Sequence, residues 1–128
     1  MYLPRLENDL LEIIEASIDG TLAQVELKWS PMAAVCVVMA SAGYPGSYAK
    51  GKVVSGLEEV ARLSNTKIFH AGTAKAGGQI VTSGGRVLGV TAWAADLRRA
   101  RDAAYAAVEK TQFEGAHFRT DIATRALG

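Results

Sequence analysis

Three short segments carry the residue types whose spacing could do chemistry. The first is Gly43-Tyr44-Pro45-Gly46-Ser47-Tyr48, followed by Lys50 and Lys52. Two glycines and a proline in six residues fix a tight loop. Its tyrosines and serine project polar groups, as a loop bordering a polar ligand would; a structural turn with solvated lysines has the same composition. The second segment is Phe69-His70-Ala71-Gly72-Thr73. His70 could be a general base, a metal ligand or a hydrogen-bonded histidine at a strand end. His117 is the only other histidine and Cys36 the only cysteine, so a zinc-type ligand set cannot be assembled from them. The third is Ser83-Gly84-Gly85-Arg86-Val87-Leu88-Gly89-Val90-Thr91. The glycine pair presents Arg86 at a strand start and leaves room for a ligand to approach the backbone. The planar fork of arginine suits phosphate or carboxylate; a solvated arginine at a strand end is the plainer reading. Neither a dinucleotide nor a P-loop glycine spacing occurs.

These segments need elements to hold them. Leu3, Leu6, Leu10, Ile14 and Ile18 lie on one helical stripe, which predicts an amphipathic helix over Leu3 to Ile18, closed by Asp19-Gly20. Pro4 suits its first turn. A helix starting this close to residue 1 is expected of a domain cut from a longer chain. Val25 to Lys28 alternates as a short strand would. Ala33 to Ala40 is a continuous Val-rich run and reads as a buried strand. Within it Cys36 reads as a small buried hydrophobe, in a setting too apolar for a catalytic thiolate. Ser41 to Lys52 is the loop, and Gly56 to Leu63 is one or two helical turns. Lys67 to Ala71 and Gln79 to Thr82 are short strands joined by a turn at Lys75-Ala76-Gly77-Gly78, and Arg86 to Ala92 is another strand. Asp96 is placed to cap a helix from Leu97 to Lys110, with Leu97, Ala100, Ala104 and Val108 on its core face. Phe113, Phe118 and Ile122 are expected to pack back on the sheet. Strands joined by short turns favour antiparallel pairing, so the expected class is α+β: a small, mostly antiparallel sheet covered by a helix.

The 128 residues bound one domain or part of a larger protein. A net charge of +1 gives no electrostatic footprint for nucleic acid or an anionic membrane. No secretory signal is present, and no apolar run approaches the ~18 residues of a spanning helix. A single cysteine allows no internal disulfide. A reduced, cytoplasmic setting is the expectation.

Taken together, "PRLENDLLEII", "AVCVVMASAGYPGSYAKG", "GLEEV", "IFHAGT", "VTSGGRVLGVTA", "ARDAAYAAVEK" and "FRTDIATRAL" resemble, in order and spacing, the end of the phosphoribosylamine–glycine ligases, also called glycinamide ribonucleotide synthetases. The resemblance spans Pro4 to Leu127. It implies an ATP-grasp enzyme of purine biosynthesis that phosphorylates glycine with ATP and lets phosphoribosylamine attack the acyl phosphate. It implies ATP and Mg2+ (or Mn2+) as cofactors. The family's metal ligands fall in a stretch immediately before the "PRLE" helix, so the resemblance implies no catalytic residue and no metal ligand in this chain. It further implies that residues 1–28 are the terminal helix of the ATP-grasp domain and its connection, and residues 29–128 the C-terminal, substrate-side domain. The partners would be the N-terminal and ATP-grasp domains and small-molecule substrates.

Related ATP-grasp purine enzymes carry a Gly-Arg strand start and a nearby lysine that face the substrate's ribose phosphate. Arg86 matches that arginine. The family commonly reads H-A-G-T-K, whereas here Ala74 separates Thr73 from Lys75, so the lysine is displaced by one. Ala42 also stands where the family usually has glycine. The candidate residues on the phosphoribosylamine side are Arg86, Lys75, Thr73, Gly85, Tyr44 and Ser47. The alternative is a separately encoded binding module that docks to a catalytic subunit, and a third reading is a globular domain with no retained function.

Overall fold

Alternation along the Val-rich run decides the architecture. The computed structural model describes residues 2–128. A 3-10 turn at Leu3–Arg5 precedes helix α1 (Leu10–Ile18), and a second turn at Leu22–Gln24 follows it. Strand β1 (Ala33–Ser41) sends Val35, Val37 and Met39 into the core, where each is at most 2% exposed. Next come α2 (Leu57–Ala61), β2 (Thr66–His70), β3 (Thr73–Ala76), β4 (Gln79–Thr82), β5 (Arg86–Ala94), α3 (Leu97–Lys110) and β6 (Ala116–His117).

Four strands form one antiparallel sheet in the order β2-β5-β1-β6, and β3 and β4 form a separate hairpin. Val37 stands opposite Val90, Val35 opposite Ala92 and Met39 opposite Leu88. Opposed residues share a face, so one side of the sheet is continuous hydrocarbon. Helix α3 covers it with Ala100, Ala104, Ala107 and Val108, all buried. Three alanines let the helix axis approach the sheet closely. Asp96 caps that helix, its carboxylate accepting from the Arg99 N–H at 2.8 Å. Phe113 is buried, and Phe118 and Ile122 pack against the same core. The α+β class, the helix cover and the packed tail are as expected.

Five local expectations are corrected. Helix formation does not run from Leu3 to Ile18. The Asn8 side chain bonds Glu26 O and Lys28 N instead, and the helix starts only after Asp9, which caps it through Leu11 N–H at 2.8 Å. Val25 to Lys28 forms no strand; the neighbouring Trp29 makes an isolated bridge to Leu6. Lys75 and Ala76 belong to β3 rather than to a turn. Gly77 and Gly78, both at positive φ, close the β3–β4 hairpin by themselves. Strand β2 pairs with β5 and not with β4. Cys36 is half-buried rather than fully so.

Candidate functional site

The sheet face away from α3 is left partly open, and the residues flagged by their chemistry gather at one end of it. A cleft of about 620 Å³ lies there, lined by Val38, Tyr44, Phe69, His70, Arg86 and Gly89 together with Ala71, Gly72, Gly85 and Leu88. Its floor follows from register. Val38 and Phe69 flank Gly89 on the two neighbouring strands, so all three share the open face. Val38 is 44% exposed, since β6 pairs with β1 only at Ala40 and Ser41 and leaves β1 without a second neighbour at Val38.

A β-bulge turns Arg86 toward this face. Met39 pairs with Leu88, but Ala40 pairs with Arg86, so Val87 is the extra residue. Strict alternation would place Arg86 on the same side as Leu88, under α3. The bulge puts it opposite Ala40 instead, on the side of Val38 and Gly89. Val87 fills the core, fully buried.

Tyr44 is held by the start of its loop. Ser41 is buried; its N–H donates to Gly85 O at 2.8 Å and its hydroxyl to Gly84 O at 3.0 Å. Tyr44 N–H donates to Ser41 O at 3.2 Å. Gly43 sits at φ +90°, where an added Cβ would lie 2.1 Å from Ser47 O, so only glycine fits. The Tyr44–Pro45 peptide is cis. The Tyr44 ring meets the Tyr48 ring edge-on, 6.2 Å between centroids.

The glycine pair does something other than leave room for a ligand. A Cβ on Gly85 would lie 2.0 Å from Tyr44 Cδ2, and one on Gly72 would lie 2.7 Å from Gly84 Cα. Both glycines are therefore occupied by protein packing: Gly84 against the Gly72 turn, Gly85 under the tyrosine ring. Gly72 N–H donates to Arg86 O at 2.8 Å, which ties the His70 end of β2 to the start of β5.

His70 is oriented by Thr73, with Nδ1 and Oγ1 3.0 Å apart. Among the described residues Arg86 makes no side-chain hydrogen bond or ion pair, and no carboxylate lines the cleft. An uncommitted guanidinium in a pocket without carboxylates favours an anionic ligand. Of the six candidate residues, Arg86, Gly85 and Tyr44 line the cleft and Thr73 touches it through His70. Lys75 and Ser47 are exposed and do not line it. Sequence reasoning missed Val38, Phe69 and Gly89 as floor, because their shared face depends on strand register.

Among the described residues no group of three or more His, Cys, Asp or Glu side chains comes together, and no helix is long and apolar enough to cross a membrane. Residues 34–125 match the family model described as phosphoribosylglycinamide synthetase, C domain. A phosphoribosylamine–glycine ligase of Caldanaerobacter subterraneus subsp. tengcongensis is 50% identical over 121 residues, covering 94% of this chain and 28% of the relative. The chloroplastic phosphoribosylamine–glycine ligase of Arabidopsis thaliana is 50% identical over 129 residues, covering 99% of this chain and 24% of the relative. A crystal structure of phosphoribosylamine–glycine ligase from Thermotoga maritima superposes with a TM-score of 0.68 at 33% identity, over 85% of this chain and 27% of that one. The chain thus spans a quarter to under a third of the length of these relatives.

Proposed function

The chain belongs to the phosphoribosylglycinamide synthetase C-domain family, and from that premise we propose that it is the substrate-side domain of a phosphoribosylamine–glycine ligase working in purine biosynthesis. In the reaction we assign to the whole enzyme, the glycine carboxylate takes the γ-phosphoryl group of ATP and ADP leaves. The amine of phosphoribosylamine then attacks the acyl phosphate, an amide bond forms, and inorganic phosphate is expelled. The product is glycinamide ribonucleotide. We place residues 1–28 at the end of the ATP-grasp domain and residues 29–128 in the C-terminal domain; a family match that begins at residue 34 supports that division. The proposed compartment is the cytoplasm.

The role we give this chain is to hold the ribose phosphate. One observation carries it: Arg86, turned by the bulge onto the open face, has an uncommitted guanidinium in a cleft without carboxylates. A phosphate monoester accepts two parallel N–H bonds from such a group. Since the phosphate does not react, these contacts supply positioning energy for the amine's attack. Tyr44 walls the cleft beside Gly85, and His70 stands at its β2 end. ATP and Mg2+ belong to the proposed reaction of the whole enzyme; among the described residues no group of three or more His, Cys, Asp or Glu side chains comes together to hold the metal.

A chimera tests the reading. This chain replaces the matching 121 residues of the Caldanaerobacter ligase, and formation of glycinamide ribonucleotide is measured. Activity dependent on glycine, ATP and phosphoribosylamine is expected. A chimera that folds and binds ATP yet makes no product would overturn it.

A further inference from the structure

We infer that the pocket between the N-terminal turn and the sheet binds a small neutral molecule, an apolar ring carrying one hydrogen-bond acceptor, which the Thr91 hydroxyl recognises. Neither Arg86 nor His70 lines this pocket, so the site stands apart from the cleft described above; Phe69 alone borders both.

The pocket holds about 350 Å³ and is lined by Tyr2, Leu3, Pro4, Cys36, Phe69 and Thr91. Register puts Thr91 of β5 directly opposite Cys36 of β1, and alternation puts both on the face of Gly89 and Phe69, away from α3. Trp93 N–H donates to Asn65 O at 3.0 Å, on the β2 side. Thr91, two residues earlier, therefore turns its backbone to β2 as well. It faces Cys36 in a pair without hydrogen bonds, the kind whose side chains stand closer. The N-terminal turn closes this part of the face. Arg5 donates from Nε and Nη2 to Ser30 O at 3.3 and 3.2 Å, and Ser30 N–H donates to Arg5 O at 2.7 Å. The Tyr2 ring meets the Trp29 ring edge-on, 6.2 Å between centroids. Thr91 is fully buried, although it stands on the open side of the sheet. Among the described residues its hydroxyl is the one buried side-chain polar atom without a hydrogen-bond partner. Leaving a buried hydroxyl unpaired is costly, so an acceptor is missing at this point. Water fits poorly, because an ordered buried water needs about two to four polar partners. The other polar side-chain groups here are a weakly bonding thiol and the hydroxyl of the exposed Tyr2. An organic molecule brings its own apolar body to Leu3, Pro4 and Phe69 and needs only one acceptor, such as a carbonyl oxygen, for Thr91. A charged ligand is disfavoured by the same lining, which offers it no ion partner.

Acetophenone and toluene separate the two halves of such a ligand, since they share a ring and only acetophenone carries an acceptor. Their binding to the 128-residue chain is measured by NMR titration and by protection of Cys36, the only cysteine, from N-ethylmaleimide. Both should shift the amides of Cys36 and Thr91 and slow the alkylation of Cys36. Thr91→Val removes the hydroxyl and keeps the shape of the side chain. It should weaken acetophenone about fivefold, the scale of one neutral hydrogen bond, and leave toluene unchanged. Thr91→Ser, which keeps the hydroxyl, should retain most of the acetophenone affinity. Leu3→Gln, at an exposed wall position, should weaken both ligands by roughly threefold, and it stays informative if Thr91→Val does not fold. An unchanged ratio of the two affinities in Thr91→Val would mean that the hydroxyl recognises no ligand. Affinities that Leu3→Gln leaves unchanged would place the binding elsewhere, and no binding of either probe would leave the pocket to water. Each of these three results overturns the assignment.

Discussion

Ala40 of β1 stands opposite Arg86 of β5, while its neighbour Met39 stands opposite Leu88. One unpaired residue, Val87, separates the two pairings. That extra residue stays in the core and reverses the face on which Arg86 emerges. A single local irregularity thus links the packing under α3 to the chemistry of the open face.

The first prediction concerns Arg86 in the ligase chimera. A charge-assisted contact is worth ~1.5–3 kcal/mol, roughly ten- to a hundredfold in affinity. Arg86→Ala should raise the KM for phosphoribosylamine by about that factor and leave the KM for ATP nearly unchanged. Arg86→Lys should recover only part of the loss, because a single ammonium cannot bond bidentately. Since Arg86 is exposed, its removal should not lower Tm. A lowered Tm beside an unchanged phosphoribosylamine KM would mean that the arginine is structural.

A second prediction follows from Tyr44 lying over Gly85. The Cβ of alanine would occupy the place of Tyr44 Cδ2, so Gly85→Ala must expel the ring. Overpacking of this kind costs about 1–3 kcal/mol. Tyr44→Ala removes the obstacle, so the double variant should be more stable than the sum of the two single losses by about 0.5–3 kcal/mol. Denaturant unfolding of the four proteins measures this coupling; simple additivity would show that the ring moves aside freely.

Much of the scaffold was legible in the sequence because its signals are local. Asp96 and the Ala100–Ala104–Val108 spacing specify α3 without reference to anything else, and the Val-rich run specifies β1. The stripe from Leu3 to Ile18 misled because periodicity says nothing about Asn8, whose side chain competes for the backbone of a segment twenty residues away. The Lys75-Ala76-Gly77-Gly78 stretch reads as one turn in the sequence because nothing local marks where β3 ends, although the two glycines alone suffice. The site was legible only in part. Arg86, Gly85 and Tyr44 carry recognisable chemistry, but the bulge at Val87 and the floor at Gly89 exist only once β1, β5 and β2 are in register.

A third prediction separates this chain from the phosphoryl-transfer chemistry. The 128-residue chain alone should release no ADP in the presence of glycine, phosphoribosylamine, ATP and Mg2+. Phosphoryl transfer needs metal ions that bridge the phosphates of ATP and neutralise the developing charge, and in the reading proposed above those ions are held by the parts of the ligase that this chain does not span. Turnover above a protein-free control would place the reaction centre inside these residues and contradict the division of labour proposed above.

The last prediction concerns α1. Leu10, Leu11, Ile14 and Ile18 are all at least 44% exposed, and no residue of the helix is buried. Leu22, Leu27 and Trp29 are exposed in the segment that follows. An apolar area of this kind on one short stretch favours association, because water is released when it is covered. At high concentration the 128-residue chain should therefore dimerise or form larger species, as measured by light scattering across a dilution series. Leu11→Lys, Ile14→Lys and Ile18→Lys together should make it monomeric. Ile14→Lys and Ile18→Lys fall toward the helix C-terminus, where positive charge is favoured, and Leu11→Lys lies four residues before Glu15 and within reach of it, so the helix itself should persist. Because none of the three side chains enters the core, Tm at low concentration should be unchanged. A chain that is monomeric at every concentration would show that the exposed face is not adhesive. A substantial drop in Tm for the triple variant would show that α1 stabilises the domain directly.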